Sequence, residues 1–209
     1  ILLDLVRHSV VYDADDEGRT IKKVARYQQY RAVVRALDRL RTGATRAEDG
    51  ELDRRGGLIW HTQGSGKSLT MVFLVRAMRS DAALRRFKVV VVTDRTDLQR
   101  QLRGTAQLVD ESVLVAQNSA KVKELLAQPG PAVVMAMIQK YRDTAPAGGD
   151  AEEFPVLNED EAIVILVDEA HRSHGSGLHA NLLGALPNAA RIGFTGTPII
   201  MGAKKKTHE

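Results

Sequence analysis

Apolar residues fall along this chain in two alternating rhythms. Short, nearly continuous runs rich in Val and Ile occur at GLIW (57–60), FKVVVVTD (87–94), SVLVAQ (112–117), AVVMAMI (132–138), AIVILVD (162–168) and ARIGFT (190–195). Such runs suit strands buried on both faces of a parallel sheet. Between them, Leu69, Met71, Val72, Leu74 and Val75 recur at helical spacing, and further helices are predicted over 96–108, 119–127 and 178–186. Ahead of the first run, residues 22–41 place Val24, Tyr27, Tyr30, Val33, Val34, Leu37 and Leu40 on one helical stripe with basic residues opposite. The alternation predicts an α/β fold: three layers around a mostly parallel, doubly wound sheet with right-handed crossovers. Residues 42–55 and the acidic, Pro- and Gly-rich stretch 143–160 carry no period and are expected to be exposed connections.

The period changes from strand to helix across HTQGSGKS, residues 61–68. Gly64 and Gly66 lack Cβ atoms, so backbone N–H groups can converge on a phosphate at a helix N-terminus, where the peptide dipoles favour negative charge. Thr62, Gln63, Gly64, Ser65, Gly66, Lys67 and Ser68 form this candidate cradle. Lys67 would reach the β and γ phosphates, and Ser68 offers a hard oxygen for Mg²⁺. The pattern GxxxxGK[ST] wants glycine first, where this chain has His61. A plain glycine turn ahead of an amphipathic helix is the alternative.

A second chemical stretch ends the run AIVILVD with two carboxylates, Asp168 and Glu169. Ligands of open α/β sheets bind at the carboxyl ends of strands, and adjacent residues there point to different sides. Asp168 is therefore a candidate Mg²⁺ holder, and Glu169 a candidate base for a water attacking a γ-phosphoryl group. Two acids favouring a helix dipole are the alternative. His171, His174 and His179 have partial zinc spacing but no evident fourth ligand.

Composition narrows the class. The 209 residues, 44% hydrophobic and 27% charged, suit one globular domain. With no cysteine, disulfides, thiolate metal sites and cysteine nucleophiles are excluded. The opening ILLDLVRHSVV is broken by Asp4 and Arg7, and no apolar run approaches a membrane span, so a cytoplasmic protein with no membrane partner is expected. A net charge of +4 is compatible with a nucleic-acid partner. The first residue is isoleucine, as expected of a piece of something longer.

HTQGSGKS, VVVVTDRTDLQRQL, VDEAHRS and GFTGTP, in that order, resemble motifs I, Ia, II and III of superfamily 2 helicases and translocases. More narrowly, IWHTQGSGKSLTM, DRTDLQRQL, IQKY, DEAHRSHGSG and RIGFTGTPI resemble the motor (restriction) subunit of type I restriction enzymes, where a histidine at the position of His61 is usual. The resemblance implies a RecA-like P-loop NTPase lobe of the DEAH type that binds and hydrolyses ATP with Mg²⁺. It assigns Lys67, Ser68, Asp168 and Glu169 to the ATPase site, with Ser68 and Asp168 on the metal. Gln29, in ARYQQYRAV, would recognise adenine. His171, Thr195 and Thr197 would couple nucleotide state to lobe movement, and Arg95, Gln139 and Lys140 would lie near the DNA backbone. The threonine pair common before IQK in that family is here Ala136 and Met137.

The implied organisation is a helical lead-in carrying Gln29, residues 1–56, a first motor lobe, residues 57–198, and a basic link, residues 199–209. The second motor lobe, with its arginine fingers, and an N-terminal nuclease domain do not fit in these residues. Double-stranded DNA and the modification and specificity subunits of the same complex are the implied partners. Two other functions are compatible with the motifs: a lobe of another superfamily 2 DNA or RNA helicase, and a nucleotide-binding module that does not hydrolyse. Glu169 argues against the second, since a pure sensor needs no base.

Overall fold

A computed structural model describes residues 2–14, 17–62, 64–93, 98–100, 102, 113–137, 154–168 and 177–196. The six apolar runs form β3 (Gly57–Trp60), β4 (Lys88–Thr93), β5 (Val113–Ala116), β6 (Val133–Met137), β7 (Ile163–Asp168) and β8 (Ala190–Thr195). All are parallel, in the order β3-β8-β7-β4-β6-β5. Every residue of β4 and β7 is buried, which explains why both lack apolar–polar alternation.

Helices cover both faces. α2 (Tyr27–Thr42) and α4 (Lys67–Ser80) pack on one side, where Val33, Leu37, Leu40, Met71, Phe73 and Leu74 join Val89, Val91, Val164 and Leu166. On the other side, α5 (Ser119–Ala127) and α6 (Gly177–Ala185) bury Leu125, Leu126, Leu182 and Ala185 against Val90, Val92, Ile163 and Ile165. Each such large aliphatic contributes about 1.5–3 kcal/mol on burial. The handedness is consistent: the step from β3 to β4 runs one way across the sheet, and those from β5 to β6 and β7 to β8 run the other. Right-handed crossovers therefore place α4 opposite to α5 and α6.

The lead-in is less helical than its periodicity predicts. It contains α1 (Leu2–His8) and an antiparallel hairpin of β1 (Val10–Ala14) and β2 (Thr20–Val24), with Val10 opposite Val24. Residues 22–24 thus belong to a strand, because hairpin pairing overrides the local helical spacing. The helix begins at Tyr27, after an extended Arg26 with φ −70° and ψ 158°. Val33, Leu37 and Leu40 are buried as expected, while Tyr27 and Val34 are exposed. The connection 42–55 holds one short helix, α3 (Arg46–Asp49), with a Thr45–Glu48 capping box. Arg55, at its end, is buried rather than solvated: its guanidinium pairs with Asp53 and donates to the carbonyls of Glu161 (2.7 Å) and Asn188 (2.9 Å). The predicted helix 96–108 lies mostly outside the described residues, although Leu98 and Leu102 are buried in the core. Among the described residues, no helix is long and apolar enough to cross a membrane.

Candidate active site

The site is built where β3 ends and α4 begins. Gly64 and Gly66 both take left-handed backbone conformations, with φ of 76° and 85°, and Gly66 caps α4. Ser65 closes the turn by donating its N–H (3.1 Å) and its hydroxyl (2.6 Å) to the Thr62 carbonyl. A helix start of this kind leaves its first N–H groups without intrahelical acceptors, which suits an anion.

Lys67 and Ser68 open α4 and are buried, at 5% and 8% exposure. Ser68 Oγ is buried with no hydrogen-bond partner among the described residues. Such an orphan costs about 1–3 kcal/mol unless something fills its coordination. An oxygen-seeking cation that takes few protein ligands fits such a hydroxyl. Among the described residues, no cluster of three His, Cys, Asp or Glu side chains could hold a metal by itself.

Sheet order brings the other residues to the same edge. β8 lies between β3 and β7, with Trp60 opposite Thr195 and Asp168 opposite Phe194, so three strands end side by side. His61 N–H donates to the Thr195 carbonyl at 3.0 Å, fixing the loop's departure from the sheet. Asp168 is 2% exposed and accepts from Thr93 Oγ1 at 3.3 Å. Thr93, the last residue of β4, was not singled out from the sequence; its only signal there is its place at the end of VVVVT. Burial, followed by the Lys67 ammonium, pushes the His61 imidazole below its usual 6.5. Neutral His61 adds no charge to the cationic entrance of α4.

Gln29 projects from the first turn of α2 into the same loop and is 3% exposed. Its Oε1 accepts from the Arg26 N–H at 2.8 Å, and its Nε2 donates to the carbonyls of Gly66 (3.0 Å) and Ser65 (3.4 Å). Most of the carboxamide is therefore engaged by the protein, leaving one lone pair of Oε1 for a base. The structure brings together Gln29, Thr62, Gly64, Ser65, Gly66, Lys67, Ser68, Asp168 and Thr195. Gln63, Arg95, Gln139, Lys140, Glu169, His171 and Thr197 lie outside the described residues. A groove of about 530 Å³ runs beside the site rather than in it, between α2 and the open edge of β3.

Comparison with known proteins follows the same lines. A sequence profile described as SWI2/SNF2 ATPase matches residues 28–209. The chain is 39% identical over 220 residues to the Type I restriction enzyme HindI endonuclease subunit of Haemophilus influenzae, a match covering 97% of this chain and 20% of that protein. It is 34% identical over 198 residues to the putative type I restriction enzyme MjaIXP endonuclease subunit of Methanocaldococcus jannaschii, covering 95% of this chain and 18% of that protein. The chain thus spans about a fifth of the length of these curated relatives. A solved structure, a nuclease-deletion mutant of the Type ISP restriction-modification enzyme LlaGI in complex with a DNA substrate mimic, overlays with a TM-score of 0.49 at 21% identity, covering 86% of this chain and 18% of that one. The profile match over most of its length shows that the chain belongs to the SWI2/SNF2 ATPase family.

Proposed function

We propose that this chain is the ATP-binding first motor lobe of the DNA-translocating restriction subunit of a cytoplasmic type I restriction-modification system. The observation that carries the ATP site is the glycine turn delivering buried Lys67 and the unpartnered Ser68 Oγ to the mouth of α4, beside the strand that ends in Asp168. The wider assignment is supported by kinship with endonuclease subunits of type I restriction enzymes.

In this reading, the amides of residues 64–68 and the Lys67 ammonium hold the β and γ phosphates. Mg²⁺, when bound with the nucleotide, would be held by Ser68 and Asp168 and would neutralise phosphate charge. Thr93 fixes the Asp168 carboxylate by donating to it. Glu169 takes the proton of the attacking water. Gln29 ties α2 to the loop and offers its remaining lone pair to adenine. Thr195 joins the coupling set to the loop, its carbonyl accepting from the His61 N–H; His171 and Thr197 complete that set. Arg95, Gln139 and Lys140 contact the DNA backbone, with sequence choice left to a specificity subunit and methylation to a modification subunit.

Hydrolysis requires charge neutralisation on the side of the γ-phosphoryl group away from Lys67, a role worth about 10³–10⁵ in rate when an arginine finger supplies it. A second lobe of the same polypeptide would supply that arginine. Steady-state phosphate release from residues 1–209, beside a polypeptide extended through the second lobe, tests this. The expected result is slow turnover by the lobe alone and fast, DNA-stimulated turnover by the longer chain, abolished by Glu169→Gln. Equal turnover by both chains would contradict it.

A further inference from the structure

β3 is, with β5, one of the two edge strands of the parallel sheet. It pairs with β8 on one side and, among the described residues, with nothing on the other. The His61 N–H points to β8, and alternate residues of a strand face the same neighbour, so Leu58 and Trp60 turn their amides and carbonyls to the open side. The two residues are 52% and 63% exposed, which is unusual for a sheet buried on both faces. The groove of about 530 Å³ follows this edge. Its far wall is α2, whose Tyr27, Arg31, Arg35 and Arg39 stand at four-residue spacing on one helix face. All four are exposed, and Arg31 and Arg35 have no ionic partner among the described residues.

We infer that this groove receives an extended, acidic segment of the same polypeptide, from outside residues 1–209, which adds to the sheet as a strand beside β3. The inference rests on the reading of the chain as one lobe of a longer subunit. The open backbone selects the class of occupant. Unpaired N–H and C=O groups in strand register are satisfied by another strand, whereas a nucleic-acid backbone offers no matching ladder. Charge selects its composition, because Arg31, Arg35 and Arg39 line one flank of the groove, and carboxylates on the side of the added strand facing α2 would meet them. The opposite flank, Leu58 and Trp60, calls for apolar side chains on its other face. Length makes the source available, since about four-fifths of the relatives' chains lie outside the matched region.

Hydrogen exchange of the full-length polypeptide, resolved to single amides by fragmentation in the mass spectrometer, tests this. The Leu58 and Trp60 amides should exchange on the order of 100-fold more slowly than unstructured amides. The triple charge reversal Arg31→Glu, Arg35→Glu, Arg39→Glu should abolish that protection. The His61 amide, bonded to β8, should stay slow throughout and so reports that the sheet remains folded. Fast exchange at Leu58 and Trp60 with His61 protected overturns the inference, and protection that survives charge reversal overturns the acidic occupant. Protection that appears only with added DNA, or only at high protein concentration, assigns the groove to nucleic acid or to a second copy and likewise overturns it. None of these outcomes touches ATP turnover, so failure here leaves the motor-lobe reading standing.

Discussion

Gln29 Nε2 lies 3.0 Å from the Gly66 carbonyl, and a Cβ at position 66 would come within 2.7 Å of that nitrogen. The lead-in helix and the phosphate loop are thus fitted to each other through a residue whose φ of 85° calls for glycine and whose added Cβ would displace the Gln29 amide. Gly66→Ala should weaken nucleotide binding through backbone strain of about 1–2 kcal/mol as well as the contact. Gln29→Ala should cost about 1 kcal/mol, a several-fold loss of affinity. In the double variant the contact disappears but the strain stays, so Gly66→Ala should still be harmful in the Gln29→Ala background. Thermal melts and nucleotide titrations of the three variants check this; full rescue by Gln29→Ala would show that the contact alone matters.

Acidification should destabilise this protein partly through His61. Its folded pKa is held below the usual 6.5, first by burial and then by Lys67, so below pH 6.5 the unfolded chain binds a proton that the folded chain resists. The stability contribution is complete above pH 6.5 and is lost as pH falls through the folded value. Denaturant unfolding at pH 7.5 and 5.5 should show a larger loss for the wild type than for His61→Gln. Equal losses would mean that His61 is protonated freely in the folded state.

Arg55 is expected to matter more to folding than its place in a charged connection suggests. Arg55→Ala leaves the carbonyls of Glu161 and Asn188 without their donor and strips the guanidinium from the Asp53 carboxylate, which keeps only the backbone N–H of residue 55, at a cost of about 3 kcal/mol. Arg54→Ala, which removes an exposed partner of Asp49, should be near neutral. Chemical denaturation of both variants is the measurement, and a reversed ranking would contradict the role given to Arg55.

The central strands β4 and β7 are legible because burial on both faces leaves the runs VVVV and IVIL with nothing polar between them. GSGKS was legible because a left-handed turn before a helix restricts residue type so sharply. What stayed hidden depends on distant neighbours. Lys88 heads an apolar strand, yet its ammonium caps α5 by donating to the carbonyls of Leu125 (2.8 Å), Leu126 (3.2 Å) and Gln128, which no local pattern announces. Thr93 acquires its role only because β7 lies beside β4. The β1–β2 hairpin is hidden in the sequence because KKV reads equally well as helix until Val10 supplies a strand for Val24 to face. The ARYQQYRAV segment points to Gln29, while its contacts to Ser65 and Gly66 emerge only with the fold.

Calorimetric titration with ATP in the presence and absence of Mg²⁺ tests most directly whether the mouth of α4 binds a magnesium–nucleotide complex through Lys67 and Ser68. Lys67→Ala should lower affinity about 10- to 100-fold under both conditions while the far-ultraviolet circular dichroism is unchanged, because a charge-assisted phosphate contact is lost. Ser68→Ala should lower affinity only when Mg²⁺ is present, because its unpartnered hydroxyl serves the cation rather than the phosphate. Wild-type affinity retained by Lys67→Ala, or an effect of Ser68→Ala that ignores Mg²⁺, would contradict the account.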